Sequence, residues 1–296
     1  MTTPHRLRSL LFGSLIGLVS LGIGRDAHAQ QATTPAIVVA AAGQLQELVL
    51  RDGTRAIGRV EKVADGKVTF RTEAGATLEV DIAQVVSAEI ATGRIVGGTY
   101  WPEDTNPTRL FFAPTGRTLK RGEAYFGIYE IYVPFVQYGI TDRLSIGGGT
   151  PLFIGGGPHP IWFTPKFQVI SKPQTQVSIG VMHFLNVDDV SFGIAYAAVT
   201  QGSTDSAVTV GLGRAYYRSD NDNGGSAVLM LGGEHRLSRR TKFVTENYYF
   251  SGHGMISGGI RFMGERLSAD LGLVAPLDAE DFIAFPMVNF VWKFAK

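Results

Sequence analysis

From Gly122 to Phe294 the sequence repeats one rule: segments of about ten residues carry an apolar side chain at every second position and are parted by turns. The clearest case is Phe282 to Phe294, where Phe282, Ala284, Pro286, Val288, Phe290, Trp292 and Phe294 share one face and Asn289 and Lys293 lie on the other. Leu267, Ala269, Leu271 and Leu273 oppose Ser268, Asp270 and Gly272 in the same way, and Ile161, Phe163, Pro165, Phe167 and Val169 oppose Thr164, Lys166 and Gln168. A soluble sandwich also alternates, so two further features weigh in. Small residues sit opposite the apolar face: Gly147, Gly149, Gly180, Gly193, Ala195, Ala197, Gly211, Gly213, Gly232, Gly259 and Gly272 are expected on a curved inner wall. Aromatics gather near strand ends, at Tyr129, Tyr132, Trp162, Tyr216, Tyr217, Tyr248, Tyr249, Phe282 and Trp292, as interfacial girdles would require.

The N-terminus adds a compartment. His5, Arg6 and Arg8 precede an apolar run from Leu10 to Gly24, and Ala27-His28-Ala29 then supplies small residues at the spacing of a signal-peptide cleavage site. Cleavage after Ala29 is expected; retention of the run as an N-terminal anchor is the alternative. At about 15 residues the run is short for a helix that crosses a bilayer, and no later run approaches about 18. Any embedding in a membrane is therefore expected to use strands.

Residues 30–44 read as a linker rich in Ala, Thr and Gln. From Leu45 to Ile90 short alternating runs are broken at Asp52-Gly53, Asp65-Gly66 and Ala74-Gly75, each a hairpin signal. Five strands fit: Leu45 to Leu50, Arg55 to Val63, Lys67 to Thr72, Thr77 to Asp81, and Val85 to Ile90. The phrase Leu50-Arg51-Asp52-Gly53-Thr54, followed by Gly58 and Val60, is similar to that of small SH3-like or Sm-like barrels, which implies a small β-domain over 45–91. Residues 92–121 form a connector too aromatic for a free linker, expected to pack near the periplasmic mouth of the alternating C-terminal region or to add a strand to it through Leu110 to Ala113.

Counting segments after the connector gives about twelve strands, an even number as single-chain barrels require, with ten or eleven if the first two segments are one bent strand. The run Gln137-Tyr138-Gly139-Ile140-Thr141-Asp142-Arg143-Leu144-Ser145-Ile146, and the strand containing Thr245-Glu246-Asn247-Tyr248, resemble hairpins of uncharacterised Gram-negative outer-membrane β-barrel proteins. That resemblance implies fold and location: an all-β chain with an antiparallel transmembrane barrel in the outer membrane and its N-terminal domain, residues 45–91, in the periplasm. It also implies that Phe290, Trp292 and Phe294 form the signal read by the outer-membrane assembly machinery, although Ala295-Lys296 departs from the usual terminal aromatic. Outer-membrane lipid and that machinery are the expected partners; nothing identifies a periplasmic partner for 45–91.

Glu130, Lys166, Glu234, Glu246, Arg261, Asp270 and Lys293 fall on the face opposite the apolar one and are the candidate lumen charges. An unpaired charge in a narrow lumen is costly, so opposite signs are expected to pair. Catalytic residues are not assigned: His183 stands near Asp188 and Asp189, Ser251-Gly252-His253 and His159 lie in loops, and no Gly-x-Ser-x-Gly surrounds a serine. No metal site is assigned either, because Asp220-Asn221-Asp222-Asn223-Gly224-Gly225 begins like a calcium loop but Leu231 stands where a Glu is needed. No cofactor is implied. A net charge of +1 gives no basic field for nucleic acid, and the absence of cysteine excludes disulfides, thiolate metal sites and a cysteine nucleophile. The expectation is a passive small-solute channel or a structural anchor for the N-terminal domain; a rim enzyme acting on lipid or peptide, and a soluble exported β-sandwich, are the alternatives.

Overall fold

Hairpin chemistry sets the first element of the fold. In the computed structural model Asp65 and Gly66 both adopt positive φ (53° and 71°), the geometry of a tight turn between two right-twisted strands. The structure describes residues 36–37, 40–41, 43–152, 160–187, 190–220, 222–279, 281 and 283–294; the expected signal sequence and most of the linker lie outside them. Strands β1 (Ala36–Ile37), β2 (Gln46–Leu50), β3 (Arg55–Ala64), β4 (Lys67–Thr72), β5 (Thr77–Asp81) and β6 (Val85–Ile90) form one sheet in the order β1-β6-β2-β3-β4-β5, with a 3-10 turn at Ile82–Gln84. Leu48, Val68, Phe70, Val85 and Ala88 are its buried core. A hairpin of β7 (Arg94–Val96) and β8 (Thr99–Trp101) comes next in the chain.

The rest is a closed antiparallel barrel. Its segments are β9 (Ala124–Tyr129), β10 (Val133–Gly139), β11 (Leu144–Gly149), β12 (Ile161–Phe163), β13 (Lys166–Lys172), β14 (Thr175–Val187), β15 (Val190–Gly202), β16 (Ser206–Arg218), β17 (Asn223–Arg236), β18 (Thr241–Phe250), β19 (His253–Met263), β20 (Leu267–Pro276) and β21 (Phe285–Lys293). Both β12 and β13 pair with β11 on one side and β14 on the other, so they are one wall strand interrupted at Thr164-Pro165. The backbone of Thr164 still bonds Gly147 in both directions, at 2.7 and 3.2 Å, which carries the ladder across the break. Thirteen segments thus make twelve wall strands, and β21 pairs antiparallel with β9 to close the ring. Closure removes the sheet edge that an open set of this length would expose.

The ends of the barrel differ. Turns at 141–143, 203–205, 237–240 and 264–266 lie at one end, called here the turn end, together with both ends of the 102–121 segment. Three contacts hold residues 89–100 against this end: Glu89 pairs with Arg266, Arg94 with Asp205, and Tyr100 donates to Glu265 at 2.7 Å. Burial pushes the Glu265 carboxyl above the usual glutamate range, the hydrogen bond from Tyr100 opposing it. At Asp205 burial is again the largest influence, but hydrogen bonds from Arg236 and Arg94 together outweigh it and hold the carboxyl below its usual range.

Candidate functional site

The lumen is occupied by the chain itself. Residues 102–119, expected as a connector packing near a mouth, enter the barrel as a hairpin and are almost entirely buried there. Sequence periodicity could not show this, because the segment has no period of two and the ion-pair partners of Asp104 and Arg117 lie on distant wall strands. Leu110 N–H donates to Ala113 O at 2.9 Å at the tip, and Thr115 N–H donates to Thr108 O at 3.0 Å lower down. Leu110, Phe111 and Ala113 pack on Met230, Val244 and Met287 of the inner wall. The light inner residues make the space: a methyl group added at Gly232 would stand 2.1 Å from Leu110 Cδ1.

Side chains hold this plug at three heights. At the turn end, Lys242 donates to Asp104 (2.6 Å) and Glu234 (2.9 Å), and Arg117 of the plug also pairs with Glu234. Arg261, fully buried, donates to Asp270 at 2.7 and 3.0 Å, to Asp104 at 3.2 Å, and to the carbonyls of Asn106 and Leu110. One turn of the plug farther in, Lys166 Nζ donates to Thr108 O at 3.0 Å, while Arg109 donates to the Tyr125 hydroxyl and to Gln137 Oε1. At the tip, one oxygen of Glu246 accepts the backbone N–H groups of Phe111, Phe112 and Ala113 at 2.9 to 3.0 Å, and the other accepts the Tyr248 hydroxyl at 2.7 Å. Such a carboxylate clasp offers a bent peptide the acceptor that its own turn cannot supply.

Of the seven sequence candidates, Lys166, Glu234, Glu246, Arg261 and Asp270 are therefore brought together around the plug. Lys293 lies at the turn-end mouth, 3.5 Å from Glu123. Glu130 is not on a strand: it occupies the β9–β10 turn with φ of 48°, at the opposite, loop end. There it borders a cavity of about 380 Å³ between Phe112 at the plug tip and the β18–β21 wall. The sequence reading missed Asp104, Arg109 and Arg117 on the plug, and Lys242 and Arg236, which sit beside turns and read as surface charge.

The outer face is apolar. Val208, Leu212, Leu271, Leu273, Val136 and Phe262 are each 45% exposed or more, on strands whose alternate residues are buried. This is the surface of a bilayer-spanning outer-membrane type of barrel. Phe290, Trp292 and Phe294 line it at the end of the last strand. Two expectations need correction. Tyr129, Trp162 and Tyr248 are not girdle residues: Tyr129 and Trp162 are buried in the lumen with Phe135, and Tyr248 packs beside the plug. Ala195, Ala197 and Gly193 are not inner residues: Ala198 and Thr200 are buried while Ala197 and Val199 are exposed, so the odd positions of β15 face outward. Small residues on both faces, as in Ala197-Ala198, leave no apolar signal to fix the parity. Phe282 lies outside the described residues.

Among the described residues no three His, Cys, Asp or Glu side chains group as metal ligands. His183 faces outward and bonds the Tyr216 hydroxyl at 2.9 Å, His253 at the start of β19 pairs with Asp278, and Asp222 accepts from Tyr217. Asp188, Asp189, His159 and Asn221 lie outside the described residues.

No protein family matches the chain, and no curated protein is similar to it in sequence. Among solved structures the chain is similar to the KdgM porin in complex with disordered oligogalacturonate, at 6% identity and a TM-score of 0.46 over 58% of this chain and 98% of that one. It is similar to the NanC porin at 7% identity and a TM-score of 0.40, covering 59% and 99% of the two chains. An outer membrane channel from Pseudomonas putida F1 aligns at 12% identity and a TM-score of 0.43, over 60% of this chain and 97% of the other.

Proposed function

We propose that the chain is an outer-membrane channel for small solutes whose lumen is kept shut by the hairpin at 102–119. The observation that carries this reading is the way the hairpin is held. Its bonds to the wall run through side chains, those of Lys166, Lys242, Glu246 and Arg261 above all, so its departure breaks no wall strand. A permanent core has no need of that separation, since a wall filled with its own large side chains would seal equally well.

On this reading the N-terminal 29 residues are removed on export, the sheet over 45–91 is a small SH3-like domain in the periplasm, and Phe290, Trp292 and Phe294 meet the assembly machinery. The second function, an anchor for that domain, is favoured by the contacts of Glu89, Arg94 and Tyr100 with the turn end. The test is conductance in planar bilayers. The full chain is expected to stay mostly silent, and a variant with residues 103–118 replaced by a short Gly/Ser linker to conduct steadily. A plug-less barrel that folds but stays silent would refute the channel and leave the anchor; steady conductance by the intact chain would refute the seal.

A further inference from the structure

The outward face of β16 carries two cations where an apolar residue belongs. Val208, Val210 and Leu212 lead along this face to Arg214, Tyr216 and Arg218, and both arginines are exposed. Among the described residues neither guanidinium has an ion pair, whereas Lys242, Arg117 and Arg261 inside the barrel all do. Of the two loop acids that follow β16, Asp220 pairs with neither arginine and Asp222 is engaged by the hydroxyl of Tyr217, whose side chain alternates to the other face of the strand.

Depth explains how the wall tolerates them. The β17–β18 pairing stops at Val228 and Phe250, but β16 and β17 continue paired through Arg214 with Ala227 to Arg218 with Asn223. Arg214 therefore stands level with the end of the neighbouring wall and Arg218 beyond it. An outward Arg or Lys is costly at the bilayer midplane and is tolerated near the interface. The ground between the arginines is shaped rather than bare. Gly193 lies opposite Tyr216, and a methyl group there would stand 2.6 Å from the Tyr216 hydroxyl. The ring thus lies across Gly193 to meet His183 at 2.9 Å, the two rings nearly parallel at 22°. Ala195 and Ala227 flank Arg214 and leave its guanidinium uncovered.

We propose that Arg214 and Arg218 bind the phosphate of an anionic lipid headgroup in the leaflet at the loop end, seated on the His183–Tyr216 pair. Guanidinium matches phosphate oxygens in a two-pronged geometry, and a lipid supplies that phosphate at the depth where the arginines stand. Acidic side chains, Glu130, Asp220, Asp222, Asp278 and Asp281, occupy the rest of the described loop end, so a general basic belt does not account for these two.

The site rests on the barrel spanning a membrane, and the test separates the two. The full chain is folded in detergent, checked for a form that migrates differently unheated and heated, and exposed to diphosphorylated lipid A, its dephosphorylated form, or inorganic phosphate. Native mass spectrometry then counts bound lipid. The wild type is expected to retain the diphosphorylated lipid about tenfold better than the dephosphorylated one. Arg214→Gln with Arg218→Gln should abolish that preference, and Arg143→Gln with Lys172→Gln at the turn end should keep it. Undiminished preference in the first double variant overturns the site, and full displacement by equimolar inorganic phosphate overturns a lipid as the ligand. A chain with no heat-modifiable form overturns the barrel itself. Should the double variant fail to fold, Arg218→Gln alone, at the exposed end of β16, is expected to lose about threefold, and no loss would overturn the proposal.

Discussion

The same strands present two solvents to their two faces, and the contrast between adjacent positions is the sharpest in the molecule. On β20, Leu271 is 49% exposed on the apolar outer wall, while Asp270 beside it is 2% exposed and bonded to Arg261. The outside resembles the core of a soluble protein turned outward. The inside resembles a soluble protein's polar interior, with the plug as the element that completes its ion pairs. A barrel of this size therefore need not enclose water; it can enclose a piece of its own chain, at the cost of giving every buried charge either an opposite charge or its own set of hydrogen-bond partners.

The largest effect should come from unmatching one. Lys242→Met leaves Asp104 and Glu234 without their shared ammonium, and is expected to lower unfolding free energy in detergent by about 3–5 kcal/mol. An unchanged urea midpoint would mean that the network does not carry the inner face. Next comes the facing itself: Leu271→Arg should cost about 2–4 kcal/mol in folding into bilayers, whereas Asp270→Asn should leave insertion intact and disturb only the plug. If folding assays tolerate both substitutions equally, the inner and outer assignments of β20 are wrong.

A smaller effect tests fit rather than charge. Gly232→Leu drives a side chain into Leu110 at the plug tip, so a loss of about 1–3 kcal/mol is expected together with raised conductance. Silence with full stability would show that the tip has room the structure does not leave it. Smallest is the contact outside the membrane. Burial raises the Glu265 carboxyl, so the folded state binds its proton more tightly than the unfolded chain does. Stability from this group is then full below the ordinary glutamate range and declines as pH rises through the raised value. Glu265→Gln should flatten that decline in a series of melting temperatures against pH, and Tyr100→Phe should cost about 0.5–1.5 kcal/mol at any pH where the bond is made.

The wall was largely legible in the sequence, because a closed sheet between lipid and a polar interior enforces a period of two and marks its turns. The alternation from Leu267 to Leu273 falls within β20, Leu267–Pro276, and that from Ile161 to Val169 falls on the wall strand that β12 and β13 form together. Legibility failed where that enforcement lapses. Ala195 and Ala197 are as acceptable to lipid as to a crowded lumen, so the parity of β15 was free to be misread. Asp104, Arg109 and Arg117 looked like ordinary loop charges because their partners, Lys242, Gln137 and Glu234, are distant in sequence. The candidate site was thus half visible: the wall charges could be named, but not what they hold.

One consequence of the unequal strands concerns the bilayer. β9 has six residues and β11 six, while β15 and β16 have thirteen each, and a strand tilted in a barrel needs about 9–11 to cross the hydrocarbon. The hydrophobic height therefore falls away toward the side where β21 meets β9. Lipid there is thinned, or the whole cylinder leans, and either response concentrates membrane deformation beside the seam at which the first and last strands join.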